Sequence, residues 1–134
     1  MPRVHHPFAL RWNDNDQYGH VNNTVYYQAM DTAVNTWMIR EAGLDPAGVV
    51  RGYCVASSCE FTAPVAYPAD LAVAIGVERL GTTSVTWDLP ILLAGDEKPV
   101  AVGRFTHVFV DATTERPVPV PDGVRSAVEQ QLLS

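Results

Sequence analysis

Apolar residues recur every three or four positions between residues 25 and 38, and polar residues fill the positions between them. This spacing places one apolar stripe along a helix. Asn22 or Asn23 suits the N-cap, because its side chain can accept from an unpaired amide of the first turn, and Gly43 suits a left-handed C-terminal cap. The pattern predicts a helix from about Asn23 to about Ala42, and the width of the stripe predicts that this helix lies deep in the fold.

Five other segments alternate with a period of two, which is typical of strands. They are Phe8–Trp12, Tyr53–Thr62, Leu71–Val77, Ser84–Leu93 and Val100–Asp111. Short turns separate the last four, and Asp122 is placed to cap a short C-terminal helix. Parallel neighbours would need crossover connections that such turns cannot supply. We therefore predict an α+β fold in which a five-stranded antiparallel sheet, its last four strands in a meander, wraps around the long central helix.

The composition is that of one globular domain covering residues 1–134, with 47% apolar and 18% charged residues. The net charge of -6 argues against nucleic acid or an anionic membrane as the main partner. The N-terminus lacks the apolar run of a signal peptide, and no stretch approaches the ~20 apolar residues of a bilayer span. We expect a cytoplasmic protein with no membrane partner, in which Cys54 and Cys59 are free thiols on opposite faces of one strand.

The loop between the first strand and the long helix concentrates the chemically active side chains, with Asp14, Asp16 and His20 close together. The two acids match the first and third positions of a calcium loop, but Tyr18 replaces the next ligand and Val25 stands where the closing glutamate must be. A divalent metal held by the acids and His20 has no second cluster of ligands to support it. We predict no metal site, and we expect Asp14 to accept hydrogen bonds from loop amides.

The order of a strand, Asp-x-Asp-x-x-Gly-His-Val-Asn-Asn-x-x-Tyr, a helix and four strands resembles the hotdog-fold acyl-CoA thioesterases, in particular the 4-hydroxybenzoyl-CoA thioesterase and acyl-CoA thioester hydrolase group. Residues 60–65 and 80–84 also resemble segments of that family. The resemblance implies a hotdog fold, with Asp16 as the catalytic carboxylate and the Asn23 main-chain N–H as the donor to the thioester carbonyl. It further implies a homodimer or homotetramer whose active sites lie between subunits.

The chemistry of the loop supports these two assignments. Thioester hydrolysis needs a nucleophile, and it needs positive potential where negative charge develops on the carbonyl oxygen. Asp16 would attack or activate water, while the Asn23 N–H lies at the positive end of the helix dipole. His20 is a candidate for tuning Asp16 or contacting substrate, with orienting the loop as the alternative. The residues that we expect to contact the substrate are Gly19, Asn22 and Tyr26.

We predict an acyl-CoA thioesterase that needs no cofactor beyond the coenzyme A of its substrate, because cleavage requires only water. An acyl-carrier-protein thioester remains an alternative substrate. Two other functions stay open: a hotdog-fold enoyl thioester hydratase or dehydratase would use Asp16 and His20, and a non-catalytic acyl-thioester binding protein would not depend on Asp16. The phosphates of coenzyme A favour cationic partners; the turn at residues 81–83 offers none, so that Arg79 and Arg104 are the candidates.

Overall fold

The computed structural model describes residues 2–133, which form five strands and two α-helices. The strands are β1 (Val4–Ala9), β2 (Val50–Phe61), β3 (Asp70–Leu80), β4 (Ser84–Leu93) and β5 (Pro99–Asp111), and the helices are α1 (Asn23–Ala42) and α2 (Asp122–Gln131). All five strands belong to one antiparallel sheet, and α1 packs on one face of it. This confirms the predicted hotdog arrangement of a long helix, a five-stranded sheet and a short C-terminal helix.

The long helix begins and ends where its capping residues predict. The Asn22 side chain accepts from the Thr24 N–H at 3.0 Å. Gly43 adopts a left-handed conformation with φ 69°, and its N–H donates to the Met38 carbonyl. The predicted apolar stripe is buried in the core, and it comprises Val25, Tyr26, Ala29, Met30, Ala33, Val34, Trp37 and Met38.

The strand order is β1-β3-β4-β5-β2, which corrects the expected meander of four strands. Strands β3, β4 and β5 do follow one another, but β2 pairs with β5 at one edge of the sheet. The segment between β2 and β3, residues 62–69, contains Pro64 and Pro68 and is too long for a tight hairpin. It is also held against the loop between β1 and α1, residues 10–22 (the acid loop), because the Val21 N–H donates to the Val65 carbonyl at 2.7 Å.

The first strand ends earlier than expected. Strand β1 stops at Ala9, whereas the predicted strand ran from Phe8 to Trp12, and a 3-10 turn covers Trp12–Asp14 instead. The Asp14 carboxylate accepts from the backbone N–H of Arg11 at 2.7 Å. This local bond closes the turn and interrupts the extended backbone, although the apolar alternation continues through it.

The C-terminal helix packs beside α1 on the same face of the sheet. Its inward side is buried as predicted, and consists of Val124, Val128 and Leu132. Trp37 on α1 donates its Nε1–H to Gln131 Oε1 at 3.2 Å. The expected cap is wrong: Asp122 is the first helical residue, and the N-cap position belongs to Pro121 without a side-chain hydrogen bond. Across residues 2–133, neither helix is long and apolar enough to cross a membrane.

The two cysteines are free thiols, as expected, but they lie on the same face of β2. A bulge at Val55 adds one residue between Cys54, which lies opposite His107, and Cys59, which lies opposite Gly103. The extra residue changes the phase of the alternation, so that the predicted opposite orientation is wrong. Burial raises the pKa of both thiols, that of Cys59 to about 11.

The core lies between α1 and the inner face of the sheet. Gly103 on β5 lies directly beneath Met30 of α1, and a methyl group at this glycine would collide with the Met30 sulfur. Trp87 and His107 are both buried there, and Trp87 Nε1 donates to His107 Nδ1 at 2.8 Å. The absence of a side chain at Gly103 lets α1 approach β5 closely.

Candidate active site

An open cavity of about 420 Å³ lies where the acid loop meets the first turn of α1. Several residues predicted for the site line it together, namely Asp16, His20, Asn23 and Tyr26. The end of β2 and the segment that follows it form the opposite wall, with Phe61, Thr62, Ala63, Pro64 and Val65, and Val21 completes the lining. The fold therefore joins the carboxylate, the imidazole and the helix N-terminus in one concave surface.

Main-chain hydrogen bonds fold the acid loop back on itself. The Asp16 N–H donates to the His20 carbonyl at 2.9 Å, and the Gly19 N–H donates to the Asp16 carbonyl at 3.1 Å. Gly19 has a φ of 82°, a left-handed conformation that favours glycine. Gly19 makes the turn and Asn22 caps the helix, and neither of these two residues lines the cavity.

The Asp16 carboxylate is partly buried and is held at one end only. Its Oδ1 accepts from the Tyr18 N–H at 2.9 Å. Within residues 2–133, Oδ2 has no hydrogen-bond or ion-pair partner. One oxygen therefore orients the side chain, while the other is available as a base or a nucleophile.

One amide at the start of α1 is unpaired. The Asn22 N–H donates to the Asp14 carbonyl at 2.9 Å, the Thr24 N–H to the Asn22 side chain at 3.0 Å, and the Val25 N–H to the Asn22 carbonyl at 2.9 Å. In the described part of the chain, no acceptor lies against the Asn23 N–H. This free donor stands at the positive end of the helix dipole, where it can stabilise a developing oxyanion.

Asp14 has the structural role expected for it. It is 2% exposed, and Arg11 donates to it from its backbone N–H at 2.7 Å and from Nη2 and Nε at 2.9 and 3.2 Å. Burial alone would raise the pKa of this carboxyl, but the hydrogen bonds and the charge of Arg11 outweigh it and lower the pKa below its usual value. Over residues 2–133, no group of three or more histidine, cysteine or acidic side chains is arranged to hold a metal ion.

His20 is exposed and contributes its carbonyl, not its imidazole, to the hydrogen bonds of the loop. In the part of the chain that the structure describes, the ring makes no hydrogen bond or ion pair. The imidazole lines the cavity and is accessible to a bound molecule.

The two arginines considered for coenzyme A phosphates do not line the cavity. Arg104 forms an ion pair of 2.8 Å with Glu78. Its neighbour Gly103 faces Met30 of α1, so Arg104 belongs to the opposite face of the sheet. Arg79 is exposed on β3.

Sequence reasoning did not assign the opposite wall of the cavity to the site. Residues 61–65 carry no acid, histidine or cysteine, and their one hydroxyl, that of Thr62, has no neighbouring histidine or lysine in the sequence that would mark it as a nucleophile. The family resemblance at residues 60–65 was the available signal, but only the packing of β2 shows which groups these residues face. The Phe61 ring lies edge-on to Tyr26, with 5.0 Å between the ring centroids.

Comparison with known proteins agrees with this geometry. The chain matches the family model of the thioesterase-like superfamily over residues 10–128. It is similar to the solved structure of the PA5185 protein from Pseudomonas aeruginosa strain PAO1, with 44% identity, coverage of 98% of this chain and 97% of that chain, and a TM-score of 0.93. It is also similar to the PA2801 protein from Pseudomonas aeruginosa, with 32% identity, coverage of 95% and 97%, and a TM-score of 0.84.

A more distant match shows the fold alone. Slr0204, a 1,4-dihydroxy-2-naphthoyl-CoA thioesterase from Synechocystis, is 19% identical, with coverage of 94% of this chain and 95% of that chain and a TM-score of 0.84. No curated protein sequence matches the chain. The family match and the similarity to PA5185 span nearly the whole sequence. They confirm the predicted thioesterase of hotdog fold: the chain belongs to the thioesterase-like superfamily.

Proposed function

We propose that this protein hydrolyses acyl-CoA thioesters, with Asp16 as nucleophile or general base and the Asn23 N–H as the donor to the thioester carbonyl. One observation carries the proposal: within residues 2–133, a carboxylate oxygen without a partner and a helix amide without an acceptor belong to residues that line the same cavity. These are the two groups that hydrolysis of a thioester requires.

In the general-base form, the carbonyl oxygen of the substrate accepts from the Asn23 N–H. Asp16 takes a proton from water, the water oxygen bonds to the carbonyl carbon, and the carbon–sulfur bond breaks. The sulfur leaves with the proton as the free thiol of coenzyme A. In the nucleophilic form, the carboxylate bonds to the carbonyl carbon, the carbon–sulfur bond breaks, and the coenzyme A thiolate leaves. Water then cleaves the resulting anhydride, which releases the acid, restores the Asp16 carboxylate and supplies the proton that converts the thiolate to the thiol. Both forms yield a carboxylic acid and a thiol, and neither needs a metal or redox cofactor.

The other walls of the cavity suit the acyl group. Phe61 and Val65 present apolar surface opposite the acid loop, and Val21 adds an apolar side chain from the loop itself. His20 is placed to contact the substrate from the solvent side. Membership of the thioesterase-like superfamily supports a thioester substrate; we propose a coenzyme A thioester, and a carrier-protein thioester is the alternative. The cytoplasm, expected from the sequence, is where such substrates are available.

We also propose that the protein is a homodimer or a homotetramer. Strand β2 is an edge strand, and among the described strands none pairs with its outer side. Its exposed apolar side chains include Val55, which is 61% exposed, and Phe61, which is 47% exposed. A long edge with exposed apolar residues favours association with a second copy. Because Phe61 also lines the cavity, such an interface would lie next to the candidate site.

The test is release of free thiol from short, long, branched and aromatic acyl-CoA substrates by the wild-type protein and by Asp16→Asn. We expect the variant to lose activity by about 10²- to 10⁴-fold, as for loss of a general base. Asp122→Asn, the same chemical change on α2 and away from the cavity, is the matched control. Unfolding by urea establishes that all three proteins are folded.

Equal activity in the wild-type protein and Asp16→Asn would show that this carboxylate is structural. Absence of thiol release from every substrate would also contradict the proposal. Hydration of an enoyl thioester in the same samples would then identify a hydratase, and binding without turnover would identify an acyl-thioester binding protein.

A further inference from the structure

Tyr26 carries a polar group in an otherwise apolar part of the cavity. It lies on α1 three residues after Asn23, is 4% exposed, and packs its ring against Phe61 at an interplanar angle of 74°. Three residues correspond to a rise of ~4.5 Å along the helix axis, and helical side chains lean towards the N-terminus. The Tyr26 ring therefore stands within a short acyl chain's reach of the Asn23 N–H.

The Tyr26 hydroxyl has no hydrogen-bond partner in the described part of the chain. Among residues 2–133, every side-chain oxygen or nitrogen that is inaccessible to solvent has a hydrogen-bond partner. Because the Tyr26 hydroxyl has none, it must be accessible. The open space next to Tyr26 is the cavity. Tyr26 thus offers an accessible hydroxyl from a ring that is otherwise buried, and the described part of the chain leaves this group available to a molecule in the cavity.

Two features limit which chemical groups the Tyr26 hydroxyl can bind. Burial, and to a smaller extent the nearby Cys59, raise the pKa of the Tyr26 phenol above its usual value, so that the hydroxyl is protonated and can donate at neutral pH. The residues that line the cavity include the Asp16 carboxylate and no lysine or arginine. A second carboxylate would be repelled there, whereas a neutral oxygen would be accepted.

We propose that the Tyr26 hydroxyl binds a neutral oxygen substituent of the acyl group. The inference rests on the proposed thioesterase function and specifies its substrate class: acyl thioesters that carry a hydroxy or oxo group a few atoms from the thioester carbonyl. The carbonyl lies at Asn23, the carbon chain packs against Phe61 and Val65, and the substituent pairs with Tyr26.

The test compares substrates that differ by one oxygen: 3-hydroxybutyryl-CoA and acetoacetyl-CoA against butyryl-CoA. The quantity measured is the ratio of kcat/KM for the oxygenated substrate to kcat/KM for butyryl-CoA. We expect Tyr26→Phe to lower this ratio about tenfold, the factor that corresponds to one hydrogen bond of ordinary strength. Tyr27→Phe is the matched control, since Tyr27 faces a separate depression with Asp31 and Cys54, and it should keep the wild-type ratio.

An equal ratio in the wild-type protein and Tyr26→Phe would overturn the inference while leaving the thioesterase function intact. A wild-type ratio of one would do the same. Failure of the wild-type protein to cleave any of the three thioesters would overturn the proposed function and this inference together. Circular dichroism and urea unfolding of both variants separate a change in specificity from a loss of folding.

Discussion

Replacing Asn23 by proline removes one hydrogen-bond donor and changes little else. Asn23 is the first residue of α1, a position where proline is favoured because its fixed φ suits a helix start. The residue before a proline must be extended, and Asn22 already has φ -59° and ψ 138°. The Asn23 N–H has no acceptor in the described chain, so no native hydrogen bond is lost. The helix should therefore form normally.

The expected effect on catalysis is large by comparison. Loss of one oxyanion donor typically raises the barrier by ~3 to 4 kcal/mol, a factor of about 10²–10³ in kcat. A proline at a compatible position changes the free energy of unfolding by less than about 1 kcal/mol, often in the stabilising direction. The two quantities should therefore separate: activity falls by orders of magnitude in a protein of nearly unchanged stability.

The assay is release of free thiol from the best acyl-CoA substrate, with kcat and KM determined separately, beside urea unfolding of the same samples. Asn23→Ala is the control, because it removes the side chain and keeps the N–H. Equal kcat values for Asn23→Pro and Asn23→Ala would refute the assignment of this amide as the carbonyl donor. A fall in the free energy of unfolding of the proline variant as large as the rise in its activation barrier would show that the helix start was disrupted.

Two further predictions concern stability. Gly103→Ala should lower the free energy of unfolding by ~1–3 kcal/mol, because the new methyl group collides with the buried Met30. Urea unfolding measures the change. The double variant Gly103→Ala/Met30→Ala should lose less free energy of unfolding than the sum of the losses in the two single variants. Folding lowers the pKa of the Asp14 carboxyl, so the stability from its contact with Arg11 is present above pH ~4 and is lost as the pH falls below that value. Asp14→Asn should therefore show a weaker fall of unfolding free energy between pH 5 and pH 2; an unchanged acid dependence would contradict it.

Much of the site could be predicted because its parts are local. The helix has a long apolar period together with an Asn22 cap and a Gly43 cap, and each signal lies within or next to the helix itself. Asp16 and Asn23 are joined by one short loop, so their proximity to the helix start follows from the chain itself. The free state of the Asn23 N–H also follows from the general rule that the first amides of a helix lack intrahelical partners.

Other features depend on contacts that a period of two does not record. Alternation marks β2 as a strand but carries no information about whether β3 or β5 is its neighbour. No glycine in the sequence marks the bulge at Val55. The extra residue shifts the alternation, so that residues beyond the bulge point to the opposite face from the one predicted. Strand β1 ends before the predicted position because the Arg11 N–H donates to the Asp14 carboxylate. This side-chain hydrogen bond outweighs the preference for an extended strand that the apolar pattern indicates.

The cavity is formed by two segments that are held in place by different contacts. The acid loop is held by bonds among its own residues, whereas residues 61–67 comprise the end of β2, an edge strand of the sheet, and the segment that follows it, and they are tied to the loop by hydrogen bonds. The ties are the bond from Val21 to Val65 and the bond of 3.0 Å from the Tyr67 N–H to Asn15 Oδ1. Side-chain substitutions between residues 61 and 65 that keep the Val65 carbonyl in place therefore alter the shape of the cavity and leave the hydrogen bonds within the acid loop intact. Evolution or laboratory selection therefore has a route to new acyl preferences that leaves the proposed hydrolytic groups, Asp16 and the Asn23 amide, unchanged.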